Sequence, residues 1–131
     1  MTSGTVVGLV EDQLRALSIL FPGSVGTRMP DNTVLVTVPR VRLPGGWSQQ
    51  ETSVSFLIPV GYPMARPDCF WADPNLRLAG GAMPQNVGVS PVPGTAEPRL
   101  WFSWHLQAWN PVTDTLLTYV RVIQQRFQRM N

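Results

Sequence analysis

This chain of 131 residues has one cysteine and one histidine, and both lie in aromatic surroundings. Cys69 is inside Gly61-Tyr62-Pro63-Met64-Ala65-Arg66-Pro67-Asp68-Cys69-Phe70-Trp71-Ala72-Asp73-Pro74, and His105 is inside Trp101-Phe102-Ser103-Trp104-His105-Leu106. A thiol near an imidazole can carry an acyl group, because the thiolate is the nucleophile and the imidazole can take its proton. His105 could equally polarise an incoming amine. Asp68 and Asp73 flank the segment, and a carboxylate beside a thioester could orient or deprotonate an acceptor amine. Each residue also has a plainer reading. Free cysteine is among the most buried residue types and fills sheet interiors, and this reading of Cys69 leads. A histidine among tryptophans can simply be a hydrogen-bonded structural group. Asp68 follows a proline and suits a turn. Whether Cys69 is a nucleophile or filler decides whether the chain is an enzyme.

The elements that would position these residues can be read from periodicity. Val6, Val10, Leu14, Leu17 and Phe21 fall at helical spacing, with Val7, Leu9 and Leu20 widening the stripe, so a helix is expected over 5–21, ended by Pro22-Gly23. Residues 33–43 alternate on Val34, Val36 and Val38 until Pro39 interrupts them. Pro44-Gly45-Gly46 is a turn. Residues 52–60 alternate on Val54, Phe56 and Ile58, giving an antiparallel meander. Proline fixes φ and cannot donate to a ladder, so Pro63, Pro67 and Pro74 write a stiff turn, a short strand over Cys69–Ala72 and a stop. Alternation along that strand would set Cys69 on the face of Trp71, opposite Phe70.

Residues 73–100 are dense in proline and glycine and read as a long irregular loop, which inside a domain is uncommon and usually functional. Within it, Leu78, Met83, Val87, Val89 and Val92 are read as exposed residues of either a binding surface or a disordered loop. Trp101, Phe102, Trp104 and Trp109 form the richest apolar stretch. After the Asn110-Pro111 stop, Thr113 or Asp114 could cap a helix running to about residue 130, with Leu116, Tyr119, Val120, Ile123, Phe127 and Met130 as its buried stripe. The order is α+β: an N-terminal helix, a four-stranded antiparallel meander, a long irregular loop and a C-terminal helix. The length predicts one domain over 1–131.

Composition narrows the function classes. Ten basic and eight acidic residues leave a net charge of +2, and a pI near 9.3 reflects how few ionisable groups there are. The arginines are scattered, except for Arg121, Arg126 and Arg129, which suit a helix C-terminus; nucleic-acid binding wants a basic cluster with interleaved aromatics and is not expected. The chain has no lysine. Codon bias is the favoured reason, and avoidance of acceptor amines near reactive acyl groups is the sharper one. A lone cysteine excludes an internal disulfide, and a lone histidine excludes a multi-histidine metal site, leaving a thiol/imidazole/carboxylate set as a remote option. Neither a metal nor a cofactor is expected. No apolar run would span a membrane and no leader pattern is visible, so a cytoplasmic setting is expected.

The ordered motifs resemble the ubiquitin-conjugating (UBC-like) superfamily, and within it the prokaryotic E2 family E. The Gly61-Tyr62-Pro63-Met64-Ala65-Arg66-Pro67 turn resembles the Tyr-Pro-x-x-x-Pro turn of conventional members. Trp109-Asn110-Pro111 resembles their Trp-x-Pro element before a helix. Pro67-Asp68-Cys69-Phe70-Trp71-Ala72-Asp73-Pro74-Asn75-Leu76, Trp101 to His105, and Asp114-Thr115-Leu116 are similar to the runs of the bacterial branch. The resemblance covers nearly the whole chain. Tyr62, Pro63, Pro67, Asp68, Phe70, Trp71, Pro74, Trp101, Trp109 and Pro111 carry it as structural positions.

The resemblance implies a ubiquitin-like protein and an E1-like adenylating enzyme as partners, with a JAB-type metalloprotease often encoded nearby, in bacterial conjugation pathways associated with antiviral defence. It also implies a conjugating thiol in the long loop, after a His-Pro-Asn element. Residues 73–100 contain no cysteine and no histidine; their only asparagines are Asn75 and Asn86. The leading expectation is a non-catalytic or diverged E2-like protein that binds a ubiquitin-like protein or partner enzyme. The alternatives are an active enzyme forming a thioester on Cys69 with help from His105, and an unrelated interaction module on the same fold.

Overall fold

The structure, a computed structural model, describes the backbone of residues 2–131 and the side chains from residue 8 onward. In chain order the elements are α1 (Thr2–Leu20), β1 (Val25–Arg28), β2 (Val34–Arg42), β3 (Glu51–Ile58), β4 (Phe70–Ala72), β5 (Val87–Pro91), β6 (Pro98–Phe102) and α2 (Leu116–Phe127). The strands form one antiparallel six-stranded sheet in the order β1-β2-β3-β4-β6-β5. The α+β class holds, with six strands where the sequence predicts four.

Alternation positions the core as expected. Val36 pairs with Phe56 and Val38 with Val54, and all four are fully buried. Phe70 pairs with Phe102 and stacks on it at 4.7 Å, extending that apolar face across β4 and β6. Phe127 of α2 packs edge-on against both rings, and Tyr119 packs edge-on against Phe56. Each buried aromatic of this kind contributes roughly 1.5–3 kcal/mol of transfer free energy. From α1, Leu17 is buried in the same cluster, with Val10, Leu14 and, just past the helix end, Phe21 partly buried against it. Leu20 is not part of the stripe, being 53% exposed. Val6 and Val7 lie outside the residues whose side chains are described. No helix among the described residues is long and apolar enough to cross a membrane.

Several local expectations need correction. Pro39 does not end β2. The strand absorbs it in a bulge between Val38 and Val41, with Arg40 at φ 58°. The loop over 73–100 contains a β-hairpin: β5 lies inside it, and Pro98, Arg99 and Leu100 already belong to β6. Proline suits β5 because that strand is the sheet edge, where a missing donor leaves no ladder bond unmade. Of the loop's apolar residues, Val92 is buried and Leu78 partly so, while Met83 and Val89 are exposed. α2 is capped by Thr115, not by Thr113 or Asp114. The Thr115 and Thr118 hydroxyls exchange bonds with each other's backbone N–H in a reciprocal box. Met130 falls beyond the helix and is exposed, and Arg126 takes a buried place on the helix instead.

Candidate functional site

Three pieces of chain build the site: the Pro-rich turn before β4, the segment after β6, and the first turns of α2. The turn is held from below. Tyr62 is buried, donates its hydroxyl to the Gln13 side chain and lies 5.9 Å from Trp109. Trp109 in turn donates its indole N–H to the Pro63 carbonyl at 2.8 Å. The two motifs that stand far apart in sequence, Tyr62-Pro63 and Trp109-Asn110-Pro111, are therefore one packed unit. Pro67 is buried and Pro74 exposed, at the two ends of the short β4 segment.

Cys69 does not belong to the strand. β4 begins at Phe70, and Cys69 sits just before it at φ 57°, in the left-handed region. The expected alternation of Cys69 with Phe70 and Trp71 is lost at that kink. A left-handed conformation costs a non-glycine residue about 1–2 kcal/mol, so something must hold it. Both backbone groups of Cys69 are held. Its N–H donates to the Trp104 carbonyl at 3.2 Å, and its carbonyl accepts the buried Tyr119 hydroxyl at 2.7 Å. Strained residues held in this way gather at functional sites.

The kink turns the chain so that Asp68 meets His105. The imidazole Nδ1 lies 2.7 Å from Asp68 Oδ1, and the two side chains are 61% and 52% exposed. One donor atom each from Asp68, Cys69 and His105 lie within 4.8 Å of one another. The candidates Cys69 and His105 are thus brought together, and Asp68, read as a turn residue, is the partner that orients the imidazole. Asp73 is elsewhere. It binds Arg99 at 3.4 Å and accepts from Gln49 and the Ser53 N–H, which makes it a strut between β3 and β6.

Cys69 itself is only 8% exposed. Burial pushes its thiol above the ordinary cysteine range, and the negative Asp68 adds to this. Hydrogen bonds with the Trp104 backbone and the Ser103 side chain oppose it. The thiol therefore lies covered beside an exposed imidazole and carboxylate.

Behind the site is a residue that the spacing of the arginines did not mark. Arg126 is 1% exposed and makes no ion pair with an Asp or Glu side chain among the described residues. Its guanidinium donates to the carbonyls of Gln85, Arg129 and Asn131 and lies 5.2–5.9 Å from the ring centroids of Phe102, Trp104 and Trp47. Arg129 stacks on Trp104 as well, at 5.0 Å. Trp104 is thus held by two cations through its ring while its carbonyl receives Cys69, and His105 is the next residue. Arg126 repeats at helical spacing with Ile123 and Phe127, and that was the signal available in the sequence.

Residues 25–130 match the family described as Prokaryotic E2 family E. The chain belongs to that family. The match runs through the meander, the Cys69 kink, the β5–β6 hairpin and α2, so Asp68, Cys69 and His105 all lie inside it. No curated protein matches the chain, and no solved structure does. Within this prokaryotic E2-like domain, Tyr62, Trp109, Phe70 and Trp71 serve as scaffold, buried or partly buried around the turn and the sheet. Trp101 is half-buried on β6, and Pro111 is half-buried before α2.

Proposed function

We propose that this E2-like protein accepts the C-terminal acyl group of a ubiquitin-like protein as a thioester on Cys69. The observation that carries the reading is the meeting of Asp68, Cys69 and His105 at a kink whose backbone is held on both sides. The donor is the thioester of an E1-like adenylating enzyme. His105 takes the thiol proton, with Asp68 fixing the ring and stabilising the imidazolium. The Cys69 sulfur bonds to the acyl carbon, and the donor's sulfur leaves and regains a proton. In the second transfer an acceptor amine attacks, the Cys69 sulfur leaves, and the amine's proton passes to solvent or His105. The pathway is a bacterial conjugation system with a ubiquitin-like protein and an E1-like enzyme as partners; a JAB-type metalloprotease would act on its products.

A second reading is favoured by the burial of Cys69 and its raised thiol pKa. In it the domain is a non-catalytic adaptor that binds the ubiquitin-like protein or the adenylating enzyme without taking the acyl group. One experiment separates the two. The protein is incubated with the adenylating enzyme, the ubiquitin-like protein and ATP and run on a non-reducing gel. The first reading expects a reductant-sensitive adduct that Cys69→Ala removes and His105→Ala slows by about 10²-fold or more. Stable binding with no adduct supports the adaptor and overturns the thioester.

A further inference from the structure

We infer that Asp68, Cys69 and His105 form a binding site for a thiophilic divalent cation of the zinc type. Thiolate, imidazole and carboxylate are the ligand set that zinc takes, and three protein ligands with one open position make an accessible site of the kind that binds a water or an exogenous donor. The three donor atoms lie within 4.8 Å of one another. Bond lengths of about 2.0–2.3 Å in a tetrahedron place donors roughly 3.3–3.6 Å apart, so His105 and Asp68, 2.7 Å apart, must open slightly, while the widest gap closes by at most about 1 Å. The two side chains that have to move are the two that can, since His105 and Asp68 are more than half exposed while Cys69 is held through its backbone. No cation is needed to fold the region, because the Pro-rich turn and Trp109 already pack it.

Binding takes the sulfur as thiolate and releases its proton to water, and it replaces the contact between His105 and Asp68 with bonds from both to the metal. The surroundings favour the exchange. The kink brings one carboxylate and one thiolate to the ion, giving a near-neutral complex, while Arg126 and Arg129 are engaged with aromatic rings and Arg126 also donates to the main-chain oxygens of Gln85, Arg129 and Asn131. Occupancy caps the sulfur. The cation is therefore a reversible block on thiol chemistry at Cys69, whichever reading of the conjugation step holds, and its test does not pass through that step.

The probe is Co²⁺ added to the reduced full chain. A thiolate-to-cobalt charge-transfer band in the near ultraviolet is expected, with visible bands of tetrahedral intensity, and Zn²⁺ should displace both. Because the chain has one cysteine, that band reports Cys69 even without a variant. Cys69→Ser should remove the band, and His105→Asn and Asp68→Asn should each weaken Co²⁺ binding by at least about tenfold. Those two residues are exposed, so both variants keep the fold, which near-ultraviolet circular dichroism checks. Absence of the charge-transfer band in the parent chain overturns the site. So does unchanged affinity in either His105→Asn or Asp68→Asn. Slower alkylation of Cys69 by iodoacetamide when Zn²⁺ is present, restored by a chelator, is the second expected readout; an unchanged rate at saturating Zn²⁺ counts against it.

Discussion

Two polar clusters flank Trp104, and they are built on opposite plans. On one side Arg126 is wholly buried, with its two terminal nitrogens given to three main-chain oxygens, its Nε left without a partner, and its face given to aromatic rings. On the other, Asp68 and His105 pair in the open, and only the thiol between them is covered. The buried cluster is shut off from solvent, and the hydrogen bonds it makes all fall within the chain. The exposed pair leaves an imidazole nitrogen and a carboxylate oxygen for a substrate, proton or ion. Burial therefore separates the anchor from the candidate site, and Trp104 touches both, its ring under the arginines and its carbonyl accepting the Cys69 N–H.

The largest expected effect breaks the anchor. Arg126→Ala removes three hydrogen bonds to main-chain oxygens and opens a cavity among aromatic rings, so unfolding stability should fall by about 2–4 kcal/mol in denaturant titrations. The same variant should lower protection of the Cys69 amide in hydrogen exchange, because Trp104 loses its support. Unchanged protection would show that the two clusters are independent.

High pH tests the base of the exposed cluster. Burial pushes Tyr62 up to about 12, and pushes Tyr119, whose hydroxyl holds the Cys69 carbonyl, further still. The folded state keeps these protons more tightly than the unfolded state, whose tyrosines ionise near pH 10. Their contribution is complete below about pH 10 and is lost as pH rises toward 12 and beyond. Stability measured across that window should fall, and tyrosinate absorbance should appear with unfolding and not before it. Early ionisation in the folded chain would contradict the burial of Tyr119.

A smaller effect probes the kink. At φ 57° alanine is strained much as cysteine is, whereas glycine is not. Cys69→Gly should therefore be more stable than Cys69→Ala by about 0.5–1 kcal/mol in paired thermal melts. The reverse order would mean that the left-handed turn is not the strained element. The smallest effect sharpens the contrast. Asp68→Asn should change stability by less than about 0.5 kcal/mol, because an exposed pair contributes little. Yet it should raise the imidazole's exchange between tautomers, visible in the ¹⁵N chemical shifts of His105.

Much of this arrangement was legible in the chain itself. Alternation at Val34–Val38 and Val54–Ile58 places the core strands, and the repeats of Leu116, Tyr119, Val120, Ile123 and Phe127 place α2, because burial of one face is enforced at every turn of a regular element. The Tyr62-Pro63 and Trp109-Asn110-Pro111 motifs mark the family before any contact is known. The β5–β6 hairpin was not legible: its proline and glycine content reads as loop, and edge position alone makes those residues compatible with a strand. The same concealment hid Asp68's role, since only the pairing of β6 beside β4 carries the chain onward to set His105 opposite it.

Residue types and spacing thus determined the class of the fold, the family, and the fact that any thiol chemistry must use Cys69. Tertiary structure alone decided that Cys69 leaves the strand in a left-handed turn, that its neighbour Asp68 holds His105, and that Arg126 is an anchor rather than a solvated helix-end charge. The physical reason is range. Periodic burial is a local property repeated along an element, whereas a site joining residues 37 apart depends on strand pairing and on a backbone strain that only distant partners can hold.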